Sequence, residues 1–164
     1  MKLASTRRCL TALTLGAASV GTAFANPSLV LTLLKVSSTT AGGVKSETLT
    51  ETKKVNPGEL LMQRAVLHTD RLIVNGHITL PIPANTHYLT GTASTTGTSQ
   101  PEFSADGGKT FSAHPMKTIS VTENGTNVQK TVPVPENEYS TLRWTVSTLP
   151  SGQEVSVSYR LAVN

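Results

Sequence analysis

The feature that most limits the possible folds of this chain is a strict alternation of apolar and polar residues in its last third. In the segment Thr141–Ser147, the apolar side chains of Leu142, Trp144 and Val146 alternate with threonine, arginine and serine. Side chains two residues apart lie on the same face of a β-strand, so this segment predicts a strand with one apolar face. We expect these three residues to face the core, with Trp144 buried between two sheets.

A second alternating segment follows, and its apolar residues also share one face: Val155, Val157, Tyr159, Leu161 and Val163. Pro150-Ser151-Gly152 lies between the two segments and has the composition of a turn. The sequence therefore predicts that the strands Thr141–Ser147 and Glu154–Val163 form a β-hairpin, with one face against a core and the other in water.

The rest of the chain has the composition of further short strands separated by glycine and proline turns. No window of helical length has apolar residues at the spacing of an amphipathic helix. Threonine and valine, which favour strands, are abundant. The predicted strands are Leu29–Val36, read as buried because both its faces are apolar; Lys45–Val55, a polar edge strand; Leu60–His68; Arg71–Leu80, with Leu72, Val74, Ile78 and Leu80 on one side; His87–Thr92; and Asn127–Val132. A loop is expected from Gly91 to Pro101. Seven or more short strands predict an all-β fold, a two-sheet sandwich in one domain over residues 26–164.

The N-terminus has the three parts of a secretory signal peptide, predicted to span residues 1–25. These parts are a positive segment, an uncharged apolar segment and a small-x-small cleavage site: Lys2, Arg7 and Arg8; Leu10–Val20; and Ala23-Phe24-Ala25. We expect cleavage before Asn26 and export to the periplasm or the cell envelope or surface. A membrane span needs about 20 strongly apolar residues, so no transmembrane segment is expected after cleavage. The paired arginines leave both the general secretory and the twin-arginine route open.

Cleavage changes the charge and the cysteine content of the chain. Removal of residues 1–25 takes away three of the 14 basic residues and none of the 10 acidic ones, so the net charge falls from +4 to +1. A nearly neutral chain has no basic patch for nucleic acid or an anionic membrane. Cys9 is the only cysteine, so the mature chain is expected to have no disulfide, no thiolate nucleophile and no cysteine-based metal site.

Several motifs between residues 55 and 163 occur in the order and spacing of a known family. They are Val55-Asn56-Pro57-Gly58-Glu59-Leu60, Leu80-Pro81-Ile82-Pro83-Ala84-Asn85-Thr86, Thr90-Gly91-Thr92-Ala93-Ser94, Leu142-Arg143-Trp144-Thr145-Val146, Leu149-Pro150-Ser151-Gly152 and the strand Val155–Val163. Together they resemble the conserved repeat domain of bacterial surface proteins, an immunoglobulin-like domain of unknown function. The resemblance implies an immunoglobulin-like two-sheet β-sandwich at the cell surface. That family usually occurs in tandem arrays, whereas this sequence has a single copy behind a signal peptide.

The segment Ser104–Phe111 contains the most distinctive local motif. Its Gly108-Lys109-Thr110 is similar to the end of a phosphate-binding loop, but that loop needs a glycine where Phe103 stands. The segment also resembles the Asp-box hairpin of sialidase-type propellers, and one copy cannot build a propeller. We therefore interpret it as a structural turn in which an aspartate binds the backbone and glycines supply positive φ. The residues of this turn are Ser104, Asp106, Gly107, Gly108 and Thr110.

Candidate residues for metal or catalytic chemistry are scattered along the sequence. No two of the histidines His68, His77, His87 and His114 have the spacing that puts two ligands on one face of a strand. Cross-strand pairing of His68 with His77 or His87 stays open, as does a glycosidase carboxylate pair assembled by the fold. No Gly-x-Ser-x-Gly motif is present, and Asn124-Gly125 is interpreted as a turn. The sequence therefore assigns no catalytic, cofactor-binding or metal-binding residue, and no cofactor is expected.

The leading hypothesis for function is a non-catalytic, exported cell-envelope protein. It would be a structural or accessory subunit that binds other envelope or surface proteins. The alternative is a periplasmic or secreted binding module for carbohydrate, metal or an apolar ligand, and an enzyme comes third. An exposed row of aromatic residues would favour sugar binding, and clustered histidines would favour metal. An unpaired, ordered edge strand would favour assembly by strand addition.

Overall fold

The computed structural model describes residues 27–164, so the predicted signal peptide lies outside the described residues. The described part of the chain has eleven β-strands, a short 3₁₀ helix and no α-helix, which confirms the all-β class. In chain order the strands are β1 (Ser28–Ala41), β2 (Val44–Glu51), β3 (Leu60–Thr69), β4 (Ile73–Pro81), β5 (Thr86–Tyr88), β6 (Ser94–Thr95), β7 (Glu102–Ser104), β8 (Met116–Glu123), β9 (Thr126–Pro133), β10 (Thr141–Leu149) and β11 (Gln153–Val163). The 3₁₀ helix, Glu136–Glu138, lies between β9 and β10.

The strands pair antiparallel in two larger sheets and one separate hairpin. The first sheet has the order β2-β1-β3-β11-β5, and β6 also pairs with β11. The second sheet has the order β4-β10-β7. Strands β8 and β9 form the hairpin, which is largely exposed. Its turn residues Asn124 and Gly125 have φ of 51° and 77°, as an Asn-Gly hairpin turn requires. We call this hairpin the β8–β9 arm.

The core lies between the facing sides of the first and second sheets. Leu142, Trp144 and Val146 of β10 are 0%, 1% and 8% exposed. The Trp144 ring stacks on the ring of Tyr159 of β11, with centroids 6.3 Å apart. The Tyr159 hydroxyl lies 2.7 Å from Gln63 Oε1, so this buried polar group has a hydrogen-bond partner. Burial raises the pKa of that hydroxyl above its ordinary value.

The predicted hairpin between the last two strands is wrong. Strand β10 pairs with β4 and β7 in the second sheet, whereas β11 pairs with β3, β5 and β6 in the first. The turn between them crosses from one sheet to the other and binds the end of β3, since Gly152 N–H donates to the Thr69 carbonyl at 2.7 Å. Two strands with one apolar face each can lie side by side or face each other across a core. Alternation alone does not distinguish the two arrangements.

The predicted apolar face of β4 is wrong in its first half. Leu72 and Val74 are exposed, although the second half of the face is buried as predicted. The cause is Asn75, whose φ of 53° puts its backbone in the left-handed region and breaks the alternation of side chains. Ile73 therefore packs against the core in place of Val74.

Strand β1 also differs from its prediction as a buried strand. Leu34 and Val36 are buried, but the segment Leu29–Leu31 is exposed on both faces. The predicted edge strand Lys45–Val55 corresponds to β2, which lies at the edge of the first sheet. Strands β7 and β8 were not predicted. The predicted strand His87–Thr92 corresponds to the shorter β5, which ends at Tyr88, and the expected loop from Gly91 to Pro101 contains the short strand β6.

Candidate functional site

The N-terminal half of β1 has a hydrogen-bonding partner on one side only. Residues Ser28 to Val36 pair with β3, whereas β2 pairs with β1 only from Leu34 onwards. The last backbone contact on the β2 side is the bond from Thr52 N–H to the Leu33 carbonyl, at 3.2 Å. Within residues 27–164, the segment Ser28–Thr32 has no strand beside it on that side. We call this segment the open edge.

The direction of the backbone groups on the open edge follows from the Leu33 bond. Alternate residues of a strand direct their N–H and C=O groups to the same side. Because the Leu33 carbonyl points to the β2 side, the groups of Leu31 and Leu29 point to that side as well. The groups of Val30 and Thr32 point to β3. The open edge therefore presents two outward N–H groups and two outward carbonyls in a continuous row.

The side chains of the open edge are apolar and exposed. Leu29, Val30 and Leu31 are 51%, 60% and 55% exposed. Leu31 pairs with Ala65 of β3 and lies on the same face of the sheet, yet Ala65 is fully buried. Near Leu31, the cover provided by the second sheet therefore ends between β3 and β1, whereas Leu33 farther along β1 still packs against the core. Three successive exposed apolar residues beside unpaired backbone are a surface that soluble proteins usually avoid.

The other half of this edge of the first sheet, formed by β2, is protected by charge. Lys45, Glu47 and Glu51 lie on this strand, and all its residues are exposed. Charged side chains on an edge strand discourage pairing with a second chain, because their desolvation is costly. The two halves of the same edge thus have opposite chemistry, with β2 polar and charged and the open edge apolar.

The paired half of β1 holds the open edge in a fixed position. Lys35 Nζ lies 2.6 Å from Glu59 Oε1, and Asn56 donates two hydrogen bonds to the same carboxylate. Hydrogen bonds from Lys35 and then Asn56 lower the pKa of Glu59 from 4.5 to about 2. Leu34 and Val36 pack on the outer face of the sheet and keep β1 in place from the other side.

The β1–β2 hairpin is also tied to the outer face of the sheet. Arg160 of β11 makes a bidentate ion pair with Glu47 of β2, with nitrogen–oxygen distances of 3.2 and 2.7 Å. The hydrogen bond from Arg160 lowers the pKa of Glu47. Because β11 and β2 are separated by two strands in the sheet, this pair shows that the hairpin bends toward β11.

The predicted structural turn forms a closed hydrogen-bond network. Asp106 Oδ1 accepts from Ser104 Oγ at 2.7 Å and from the N–H groups of Lys109 and Thr110, both at 3.0 Å. Asp106 Oδ2 accepts from Thr110 Oγ1 at 2.6 Å. These hydrogen bonds hold the pKa of Asp106 well below its usual range, and the bonds from Thr110 lower it the most. Gly107 and Gly108 have φ of 75° and 86°, so both occupy the left-handed region.

The predicted site residues lie in two separate places. The turn follows β7 at the edge of the second sheet, and the residues Leu142, Trp144 and Val146 lie in the core. The structure brings neither set to the open edge. Sequence reasoning missed the open edge because it interpreted an apolar segment as a buried one. No local signal separates the two cases, because a buried strand has the same apolar composition.

The four histidines lie apart in the fold. His68 is on the first sheet beside Asp70, and His77 is on the second sheet beside Thr145. His87 contacts the terminal Asn164. No group of three or more histidine, cysteine or acidic side chains within residues 27–164 is placed to hold a metal ion. No aromatic side chain in that same range is exposed.

No protein-family model matches this chain, and neither a curated protein nor a solved structure is significantly similar to it. Among the residues that the structure describes, no helix is long and apolar enough to cross a membrane.

Proposed function

We propose that this chain is an exported, non-catalytic cell-envelope protein that binds an extended segment of another envelope protein at the open edge. The observation that carries the proposal is the row of outward backbone groups at Leu29 and Leu31, flanked by exposed apolar side chains. A peptide that adds to such an edge gains main-chain hydrogen bonds, and its apolar side chains gain contacts that give specificity. The protein acts by contact and not by turnover.

The contrast between the two halves of the sheet edge supports this proposal. Proteins protect exposed edges with charge, proline, bulges or short strands. Strand β2 has charges, whereas the open edge has none of these features. An apolar edge that persists beside a protected one is consistent with a pairing role in the assembled envelope.

We further propose that the fold is an immunoglobulin-like two-sheet sandwich of the bacterial surface-protein type. Two antiparallel sheets that enclose one core support it. The contacts between the first and last family motifs support it as well. Gly58 N–H donates to the Val163 carbonyl at 2.9 Å, and Val163 N–H donates to the Glu59 carbonyl at 3.0 Å. The Asn-Pro-Gly-Glu turn thus closes on the final strand.

The envelope location rests on the signal peptide predicted for residues 1–25 and on the family resemblance. A mature chain with a net charge of +1 has little long-range charge steering toward a partner. Backbone pairing and apolar contact are weakly screened by salt. The association is therefore expected to survive moderate salt concentrations.

Site-specific photo-crosslinking in native envelopes tests the proposed function. A benzophenone amino acid in place of Leu31 should give a discrete crosslinked product with one envelope protein. The same group in place of Val128, which is exposed on the β8–β9 arm, is the matched control and should not give that product. Joint substitution of His68, His77, His87 and His114 should leave the product unchanged.

Two results would contradict the proposal. One is crosslinking that is not specific to the open edge. This means either no discrete product at position 31 or the same set of products at positions 31 and 128. The other is stoichiometric copper or zinc in the purified protein that the histidine substitutions remove, which would favour the metal-binding alternative.

A further inference from the structure

The sequence of the open edge is symmetrical about Val30. A leucine precedes and a leucine follows that valine, and small hydroxyl residues lie outside them, Ser28 on one side and Thr32 on the other. The segment therefore has the same chemistry when it is read in either direction. An antiparallel strand of the same sequence, as a second copy of this chain would supply, places leucine opposite leucine and hydroxyl opposite hydroxyl.

The outward backbone groups of the open edge have the same symmetry. The N–H and C=O groups of Leu29 and Leu31 point away from β3, whereas those of Val30 point to β3. In an antiparallel pair centred on Val30, Leu29 of each copy lies opposite Leu31 of the other copy. Residues opposed in this way exchange two hydrogen bonds. The two leucine pairs therefore satisfy every outward group of both open edges.

The residues beside the open edge exclude the neighbouring registers. A pair centred on Leu29 would place Leu31 opposite Pro27, which has no N–H group to donate. A pair centred on Leu31 would place Leu29 opposite Leu33, whose carbonyl already accepts from Thr52 N–H. The symmetrical register is thus the one that leaves no outward group of the open edge without a partner.

Both faces of the symmetrical pair would cover apolar side chains. Leu29 and Leu31, each about half exposed, would form a cluster of four leucines on the inner face, beyond the end of the second sheet. On the outer face the two Val30 side chains would meet in a non-hydrogen-bonded pair, where Cα atoms lie about 4.5 Å apart. The segment Ser28–Thr32 contains no charged residue, so no charge repulsion opposes the pairing.

The small size of this contact limits its strength. Stable interfaces bury at least about 1,000 Å² in total, whereas five residues of each copy would pair here. We therefore expect a weak dimer, with a dissociation constant on the order of 100 μM. A partner strand that makes further contacts beyond the edge would displace the second copy.

We propose that the free protein pairs with a second copy of itself through the open edge, antiparallel and centred on Val30, and that this weak homodimer covers the edge until an envelope partner replaces the second copy. The self-pairing stands on the symmetry of the segment. The regulatory role rests on the proposed function, because partner and second copy compete for the same backbone groups. A covered edge is also protected from uncontrolled pairing in the free protein.

Disulfide trapping tests the register. Cys9 is the only cysteine, so each variant has one new cysteine in a full chain that also carries Cys9→Ser. Val30→Cys places two Cα atoms within the range that a disulfide bridges, and should give a covalent dimer on mild oxidation. Leu31→Cys on the same edge is the matched control. Its two cysteines would lie diagonally, about 8 Å apart, and should stay largely unbridged.

Sedimentation equilibrium measures the non-covalent dimer. Leu31→Pro should weaken it at least about tenfold, because the twofold symmetry makes each substitution remove one interchain hydrogen bond from each copy. Leu31→Ile keeps both the N–H group and an apolar side chain, and should stay within about threefold of wild type. Thermal melts confirm that each variant is folded.

Envelopes from cells that lack the protein test the regulatory role. Oxidised Val30→Cys protein should fail to join the envelope assembly, and reduction of the disulfide should restore the association. If the disulfide dimer forms but neither reduced Val30→Cys nor wild-type protein joins the assembly, the proposed function and the regulatory role are overturned while the homodimer stands.

The self-pairing is overturned if Val30→Cys and Leu31→Cys are bridged to the same extent, or if wild-type protein stays monomeric up to about 1 mM. A monomeric protein that still joins the assembly would show that the open edge accepts the envelope partner alone. The regulatory role is overturned if the oxidised Val30→Cys dimer joins the assembly as readily as the reduced protein does.

Discussion

Leu161 and Leu31 both lie on the first sheet and point to the side that faces the second sheet, yet their surroundings are opposite. Leu161 of β11 is fully buried, and the aromatic and aliphatic core around Trp144 and Tyr159 surrounds it. Leu31 of β1 is 55% exposed at the open edge. Folding accounts for the apolar character of Leu161, because burial of an apolar side chain stabilises the fold. It does not account for the apolar character of Leu31, which the proposed pairing with a partner strand would explain.

The largest expected effect is in the core. Trp144→Ala removes the ring that stacks on Tyr159 between the sheets, and should lower the free energy of unfolding by about 3–5 kcal/mol. Urea denaturation curves of the two proteins measure this difference in the free energy of unfolding. Val128→Ala, on the exposed β8–β9 arm, is the control and should stay within about 0.5 kcal/mol of wild type. A loss well under 1 kcal/mol for Trp144→Ala would contradict the observed packing.

The direct comparison of the two regions comes from one substitution at two positions. Leu161→Ala should cost about 2–5 kcal/mol, because it leaves a cavity in the core. Leu31→Ala should lower the free energy of unfolding of the isolated protein by no more than about 1 kcal/mol, because more than half of the residue is already exposed to water. Equal losses at the two positions in urea melts would show that the second sheet or another segment covers Leu31.

The pH dependence tests how β1 is held in place. The pKa of Glu59 is about 2 in the folded protein, against an ordinary value of 4.5 that applies to the unfolded chain. Folding therefore favours the ionised form of this carboxyl group. The stabilisation that this group contributes is complete above about pH 4.5 and disappears as the pH falls through 2. The difference in unfolding free energy between wild type and Glu59→Gln should therefore be constant near neutral pH and shrink across that acid range. A difference that does not change with pH would mean that the bonds to Lys35 and Asn56 do not depend on the charge.

Local pattern predicted the strands but not their partners. The alternation in β10 and β11 indicated two strands with one apolar face each, and it applies equally to a hairpin and to two facing sheets. The choice depends on long-range pairing with β4 and β3, which no local pattern contains. The left-handed backbone conformation of Asn75 could not be predicted from local pattern either. It reverses the alternation of side chains in β4, and no distinctive pattern of apolar residues marks it.

Exposure at the candidate site was even less accessible to sequence reasoning. The segment Leu29–Leu31 has the apolar character of a buried strand. Its exposure depends on where the second sheet ends, which is a property of the whole fold. The turn around Asp106 was the easier case, since its residues bond to neighbours within a few positions along the chain.

A proline at position 31 tests the role of the open edge most directly. Leu31 N–H points away from β3, so Leu31→Pro removes one outward donor without breaking a bond of the sheet, as proline at an edge allows. Leu31→Thr keeps the N–H and is the matched control. Gel filtration of gently solubilised native envelopes gives the readout, alongside thermal melts that check the fold.

Wild-type protein should elute with a larger envelope assembly, and Leu31→Thr should remain at least partly associated. Leu31→Pro should elute alone as a folded monomer with a melting temperature close to that of the wild type. A folded Leu31→Pro variant that elutes with the assembly as wild type does, or a wild-type protein that elutes alone, would contradict strand addition at the open edge.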